Sequence, residues 1–172
     1  MNESQKKVIE KIKELEDNRS DWFVHEKTLQ YLMKICKEKV VLEIGAHLGY
    51  SALSISLVAN KVVTIEKDKV WKDRAEKNCN LAPNVNIHIG NAIEVLPTLK
   101  DKFDIIFVDA YKPEYANYLE LSLPLLKDGG IILFDNTVSH KKKLHAFFDH
   151  LKKNSYSFVE LGFGDGLLKI TL

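Results

Sequence analysis

Short apolar runs rich in β-branched residues alternate with stretches of helical periodicity along most of the chain. The runs are KVVLEIG (39–45), KVVTIE (61–66), NVNIHIG (84–90), FDIIFVD (103–109) and GGIILFD (129–135). Most are apolar at nearly every position, the pattern of strands covered on both faces by helices. Between them the spacing predicts helices over about 49–59, 68–80, 92–99, 113–126 and 139–153. Pro113 suits the first turn of its helix, and Gly129-Gly130 reads as that helix's stop. Two further strands, about 156–162 and 166–172, are separated by Gly-Asp-Gly and read as a hairpin. Upstream, Val8, Ile12 and Leu15 make one helical stripe, and Leu29, Leu32, Met33 and Cys36 make another.

This alternation predicts an α/β fold: a doubly wound sheet of seven strands, mostly parallel, with one antiparallel strand in the closing hairpin. No repeat, low-complexity tract or linker interrupts it. The expectation is a single domain over 1–172, with the N-terminal helices of 1–38 covering the site.

Composition removes several classes. The chain has 172 residues, 45% apolar and 28% charged, which excludes a disordered or fibrous protein. Lys plus Arg is 25 and Asp plus Glu 24, so a net charge of +1 gives no global pull toward nucleic acid or anionic membrane. Two cysteines make no disulfide framework. No apolar run approaches the roughly 18 residues of a membrane helix, and the charged start MNESQKKVIEKIKELED lacks a signal-peptide core. A cytoplasmic protein without membrane contact is the expectation.

Ligands of doubly wound sheets bind beyond the carboxyl ends of the strands, so those ends carry the chemistry. The first strand ends in Glu43-Ile44-Gly45-Ala46-His47-Leu48-Gly49-Tyr50-Ser51, a glycine turn feeding a helix. Gly45 and Gly49 let the backbone turn and approach a ligand. About twenty residues further on, Glu66 closes the second strand where a ribose diol would lie. NAD and S-adenosylmethionine (SAM) sites share this layout. His47 stands where a dinucleotide site wants its middle glycine, and Glu43 would oppose a diphosphate but favour the cationic groups of SAM. Both features favour SAM. Asn91-Ala92 follow the third strand and could read an adenine edge, or Asn91 could simply cap the next helix. Asp109 closes the fourth strand, and Asp135-Asn136 close the fifth. Two carboxylates and an amide oxygen suit Mg²⁺ or another hard divalent cation, unless each only caps the following helix. Lys112, three residues past Asp109, is placed for a general base. Trp22 and Trp71 read as packing residues, and the other histidines show no metal spacing.

VLEIGAHLGYSAL, VVTIEKD, FDIIFVDAYKPEY, LKDGGIILFDN and the late GDGLL together resemble the divalent-metal-dependent class I SAM O-methyltransferases, the catechol and caffeoyl-CoA O-methyltransferase-like family with its small prokaryotic members. The resemblance runs from about residue 24 to the C-terminus and implies a Rossmann-like methyltransferase fold. It implies that Glu43 and the turn from Gly45 through His47 to Gly49 hold the methionine part of SAM, with His47 acting through its backbone. Ser51 would bind the SAM carboxylate, with Val24 adding a backbone contact. Glu66 would bind the ribose, and Asn91 and Ala92 the adenine. Asp109, Asp135 and Asn136 would be the metal ligands, with Asp109 also bordering the cofactor. Lys112 would take the acceptor's proton, and Tyr111 would flank the pocket.

The implied reaction is Mg²⁺-assisted O-methylation of a small-molecule acceptor, a catechol-like vicinal diol. Two alternatives stand beside it. Lys141 to Lys143, with Lys152 and Lys153, could form a basic patch for a tRNA acceptor carrying a hydroxylated wobble uridine. A catalytically inactive SAM-binding module is the other. Only 42 residues precede Glu43, and the segment after Asn136 is short for the family. Both departures predict an open acceptor pocket or one completed in a homodimer.

Overall fold

The computed structural model describes residues 2–19 and 22–171. Two helices, α1 (Glu3–Asp17) and α2 (Glu26–Ile35), lead into β1 (Val40–Ile44). There follow α3 (Tyr50–Ser56), β2 (Lys61–Glu66), α4 (Lys72–Cys79), β3 (Val85–Ile89), α5 (Ala92–Val95) and β4 (Phe103–Val108). The chain closes with α6 (Tyr115–Ser122), β5 (Leu126–Asp135), α7 (His145–Lys153), β6 (Phe158–Leu161) and β7 (Leu167–Thr171). The seven strands form one sheet in the order β3-β2-β1-β4-β5-β7-β6. All pairs among the first five strands are parallel. β7 runs antiparallel to both β5 and β6, as the Gly-Asp-Gly hairpin predicts. The predicted last position, Leu172, lies outside the described residues.

Period-two alternation sends strand side chains to two separate cores. Val41, Val62, Ile105, Phe107 and Leu133 pack on one face with Val8, Leu15, Leu29, Leu32 and Leu53 of α1, α2 and α3. Leu42, Ile44, Ile106, Val108 and Phe134 pack on the other with Tyr115, Tyr118, Phe147 and Leu151 of α6 and α7. Both faces of the central strands are apolar because both are covered, which is why those strands read as unbroken runs. The strand order reverses between β1 and β4, so the ligand crevice of such a sheet opens there.

Two predicted boundaries and one burial expectation are corrected. Gly129-Gly130 do not stop a helix. α6 ends at Ser122, a short 3-10 turn carries Pro124, and β5 has begun by Leu126. The two glycines sit inside β5, where Phe103 pairs with Leu126 but Ile105 pairs with Ile131. Gly129, at φ +71°, takes up that bulge. The helix predicted from residue 68 starts at Lys72, after a turn that leaves Val70 exposed. Trp22, read from the sequence as a packing residue, is 77% exposed.

Candidate active site at the carboxyl ends of the strands

β1 leaves the sheet through the turn 45–49, and the first demand for glycine comes from the chain itself. A Cβ on Gly45, at φ +108°, would lie 2.1 Å from the Asp109 carbonyl oxygen. A Cβ on Gly49, at φ +81°, would lie 2.8 Å from the Cys79 sulfur. The residue between them, His47, is also left-handed, at φ +50°. Its backbone N–H donates to Glu66 Oε2 at 2.5 Å, and the Asp68 N–H donates to Glu66 Oε1 at 2.7 Å. Glu66 thus ties the turn after β1 to the turn after β2. A carboxylate offers about four acceptor positions, so two backbone bonds do not exhaust it.

Glu43 is fully buried on β1. The hydroxyls of Ser51 and Thr64 donate to its Oε1 and Oε2, each at 2.5 Å. The Ser51 O–H thus points to Glu43, and the expected contact of Ser51 with a ligand carboxylate names no atom of Ser51. Burial pushes the Glu43 carboxyl up from 4.5 to about 7, against the pull of those two hydrogen bonds. The folded chain then keeps a proton that the unfolded chain releases near 4.5. Stability should fall as pH rises from about 4.5 to 7, by at most about 1.4 kcal/mol per pH unit from this group. Urea titrations at pH 5 and 7 should show that loss in wild type and a smaller one in Glu43→Gln. Equal pH dependence in the two proteins would remove Glu43 as its source.

Asn91 turns out to use its side-chain oxygen as a cap. It accepts from the Ile93 N–H at 3.1 Å, with Ala92 buried as the first residue of α5. Val24 is buried, and its carbonyl accepts from the Arg19 guanidinium at 3.2 Å. Its neighbour Phe23 stacks on Tyr50 at 4.7 Å and meets the His47 ring edge-on at 5.6 Å. Trp71 closes on the same ring from 4.4 Å. Among the described residues neither His47 ring nitrogen has a hydrogen-bond partner, and burial lowers that imidazole's pKa. The role given to His47 from sequence was a backbone contact. The aromatic walls around its ring went unread because Phe23 and Trp71 are distant in the chain.

The ends of β4 and β5 bring the remaining candidates together. Asp109 is fixed by its own N–H, which donates to the Ile44 carbonyl at 2.9 Å. Lys112, at the start of a 3-10 turn with Pro113, places Nζ 2.8 Å from Asp109 Oδ1. Asp135 is fully buried at the end of β5. Among the described residues its Oδ1 has no hydrogen-bond partner, and the Asn136 amide lies 3.4 Å from Oδ2. Burial and then the Asp109 carboxylate push Asp135 up to about 7, with the Asn136 N–H and Lys112 pulling the other way. Asn136 is left-handed at φ +61°. The hairpin tip holds the backbone beyond it. Thr137 N–H donates to the Gly166 carbonyl at 3.0 Å, and Val138 and Ser139 N–H to the Asp165 carbonyl at 3.1 and 3.0 Å.

Among the described residues no three His, Cys, Asp or Glu side chains gather as a metal cluster. The donor set is two carboxylates and an amide. An orphaned, buried carboxylate oxygen under the field of a second carboxylate is a placement that a hard divalent cation relieves. The residues therefore fit such an ion. Tyr111, 54% exposed with Lys67 Nζ 4.7 Å from its ring centre, stands at the rim. Cavities of about 240 and 380 Å³ lie elsewhere, at the amino ends of the strands beside Asn84 and Lys102.

Residues 11–161 match the family model described as O-methyltransferase. The chain belongs to that family. It is 36% identical over 128 residues to a catechol O-methyltransferase of Niastella koreensis, covering 69% of this chain and 58% of that protein. It is 34% identical over 142 residues to a probable caffeoyl-CoA O-methyltransferase of Dictyostelium discoideum, covering 76% of this chain and 55% of that one. The chain thus spans little more than half the length of either relative. A SAH-bound Podospora anserina methyltransferase superposes with a TM-score of 0.79 at 24% identity, over 99% of this chain and 88% of that one. The O-methyltransferase TomG of Streptomyces achromogenes, solved with SAM, gives 0.75 at 23% identity, over 100% of this chain and 90% of that one. Both share the fold. Among the described residues no helix is long and apolar enough to cross a membrane.

Proposed function

We propose that the chain transfers the methyl group of SAM to a hydroxyl oxygen of a small aromatic acceptor with a vicinal diol, assisted by Mg²⁺ or another divalent cation. One observation carries this reading: the Asp109–Lys112 pair and the orphaned Asp135 oxygen stand at the ends of β4 and β5, next to the glycine turn of β1. The chain's likeness to a catechol O-methyltransferase and a probable caffeoyl-CoA O-methyltransferase supports it. Asp109, Asp135 and Asn136 would hold the cation. When bound, it supplies positive charge that makes an acceptor hydroxyl more acidic, and SAM supplies the methyl carbon. As the neutral amine, Lys112 Nζ would receive the hydroxyl proton, and SAM would leave as S-adenosylhomocysteine. The turn 45–49, pinned by Glu66, would orient the methionine part of SAM, Asn91 and Ala92 would border the adenine, and positioning accounts for much of the rate.

A second acceptor class, RNA, is favoured by one feature. Lys141 to Lys143 form an exposed turn shortly after Asn136, and Lys152 and Lys153 are exposed at the end of α7. One assay separates the readings: labelled SAM, Mg²⁺, a catechol panel and bulk tRNA, each with and without EDTA. The expected product is a methylated catechol, lost with EDTA and restored by excess Mg²⁺. An EDTA-insensitive rate overturns the metal role. Label on tRNA alone moves the acceptor to RNA. SAM binding with no product on any acceptor leaves a binding module.

A further inference from the structure

Tyr115 begins α6, six residues past Asp109 and three past Lys112, and its side chain is fully buried. Its hydroxyl donates to the Asp135 carbonyl at 3.0 Å and lies 3.4 Å from the Val108 carbonyl. Those two carbonyls have a particular place. Val108 is the residue just before Asp109, and Asp135 is itself the second carboxylate. β4 and β5 are paired up to Val108 and Phe134, and no further. Beyond that pair the sheet's own hydrogen bonds no longer set the distance between the two chains. The Tyr115 hydroxyl takes over at this step.

The ring is fixed independently. Phe134 packs at 5.2 Å between ring centres, and Phe147 meets it edge-on at 5.6 Å. Lys112 Nζ lies 5.2 Å from the ring centre while bound to Asp109 at 2.8 Å. One side chain therefore contacts the main chain of both carboxylate-bearing strand ends and the ammonium between them. Packing alone would be served by phenylalanine, which has the same ring and no polar atom to satisfy in this core.

We infer that Tyr115 is a positioning residue that sets the spacing of Asp109 and Asp135 and seats Lys112 between its ring and Asp109. The inference rests on the proposed metal-assisted reading of this site. Partners that orient ligating carboxylates typically change metal affinity by about 10–100-fold when removed.

The test is Tyr115→Phe beside Tyr118→Phe. Tyr118 is a matched control: it is buried in the same core, and its hydroxyl donates to Glu114 instead. Mn²⁺ affinity is read by electron paramagnetic resonance of the free ion, and SAH affinity by calorimetry, both well below the melting temperature. Tyr115→Phe should weaken Mn²⁺ binding about tenfold and leave SAH affinity within about twofold. Tyr118→Phe should lower the melting temperature and leave Mn²⁺ affinity unchanged. Mn²⁺ affinity unchanged in Tyr115→Phe, or weakened equally in both variants, overturns the inference while the metal reading stands. Wild type that binds no Mn²⁺ overturns both. A second readout needs no folded Tyr115 variant. In wild type labelled with [¹³Cζ]tyrosine, Mg²⁺ should shift saturably one buried tyrosine signal that persists in Tyr118→Phe. The absence of any such shift also overturns the inference.

Discussion

Lys112→Met is expected to lower kcat by roughly 10²–10⁴-fold, the range for removal of a positioned general base. Methionine nearly matches the lysine stem in length but takes no proton. Its partner Asp109 keeps the backbone bond from its N–H to the Ile44 carbonyl, so the strand end should stay in place. SAH affinity should change by less than about threefold, since Lys112 bonds Asp109 and faces the Tyr115 ring. Lys112→Arg is the sharper half of the experiment. A guanidinium keeps the positive charge beside Asp109 but stays protonated in proteins. If Lys112 acts as a base, Arg fails as Met does. If its work is only to balance the charge of Asp109, Arg restores most of the rate. Steady-state kcat and KM with a methylated catechol product decide between them, and a kcat within about threefold of wild type in Lys112→Met removes the proton-transfer role.

What the sequence made legible follows from which forces act locally. The central strands were readable because burial on both faces leaves a run of apolar residues that needs no partner to recognise, whereas the half-exposed edge strands β3 and β6 were readable from alternation and from the Gly-Asp-Gly turn. Asp109, Asp135 and Asn136, to which the proposed reaction gives the cation, stood out in the sequence for a related reason: a polar residue ending such a run is conspicuous. The interior of β5 was not. Gly129-Gly130 normally punctuate, and only the register of β4 against β5 turns them into a bulge. The Asn91 cap was open between two readings, because an Asx oxygen serves a helix or a ligand with the same geometry. The pairing of Ser51 with Glu43 was hidden, since it depends on how α3 lies against β1. Tyr115 was hidden for the same reason: an aromatic at a helical spacing reads as core, and its hydroxyl's partners come from two strands.

Gly45→Ala should cost the fold more than any other glycine substitution in the glycine turn, even with no ligand bound. Its Cβ would sit 2.1 Å from the Asp109 carbonyl oxygen and 2.9 Å from that carbonyl carbon. Both are backbone atoms of a residue whose N–H is bonded to the Ile44 carbonyl, and they cannot swing aside as a side chain can. The φ of +108° adds strain that alanine rarely adopts. Overpacking and backbone strain each cost about 1–3 kcal/mol, so a loss of about 4 kcal/mol follows, or a melting temperature lower by roughly 8–16 °C. Gly49→Ala should cost less, because what it meets at 2.8 Å is the Cys79 sulfur, the end of a side chain. Adding Cys79→Ala should recover part of that loss and none of the loss at Gly45. Gly162→Ala is the control: its Cβ would meet nothing within 4 Å. Calorimetric melting of the ligand-free variants should place Gly45→Ala lowest, with or without Cys79→Ala, then Gly49→Ala, then Gly49→Ala with Cys79→Ala, and Gly162→Ala highest. Were glycine required at position 45 only for approach of a cofactor, Gly45→Ala would melt with Gly162→Ala and lose SAH affinity alone.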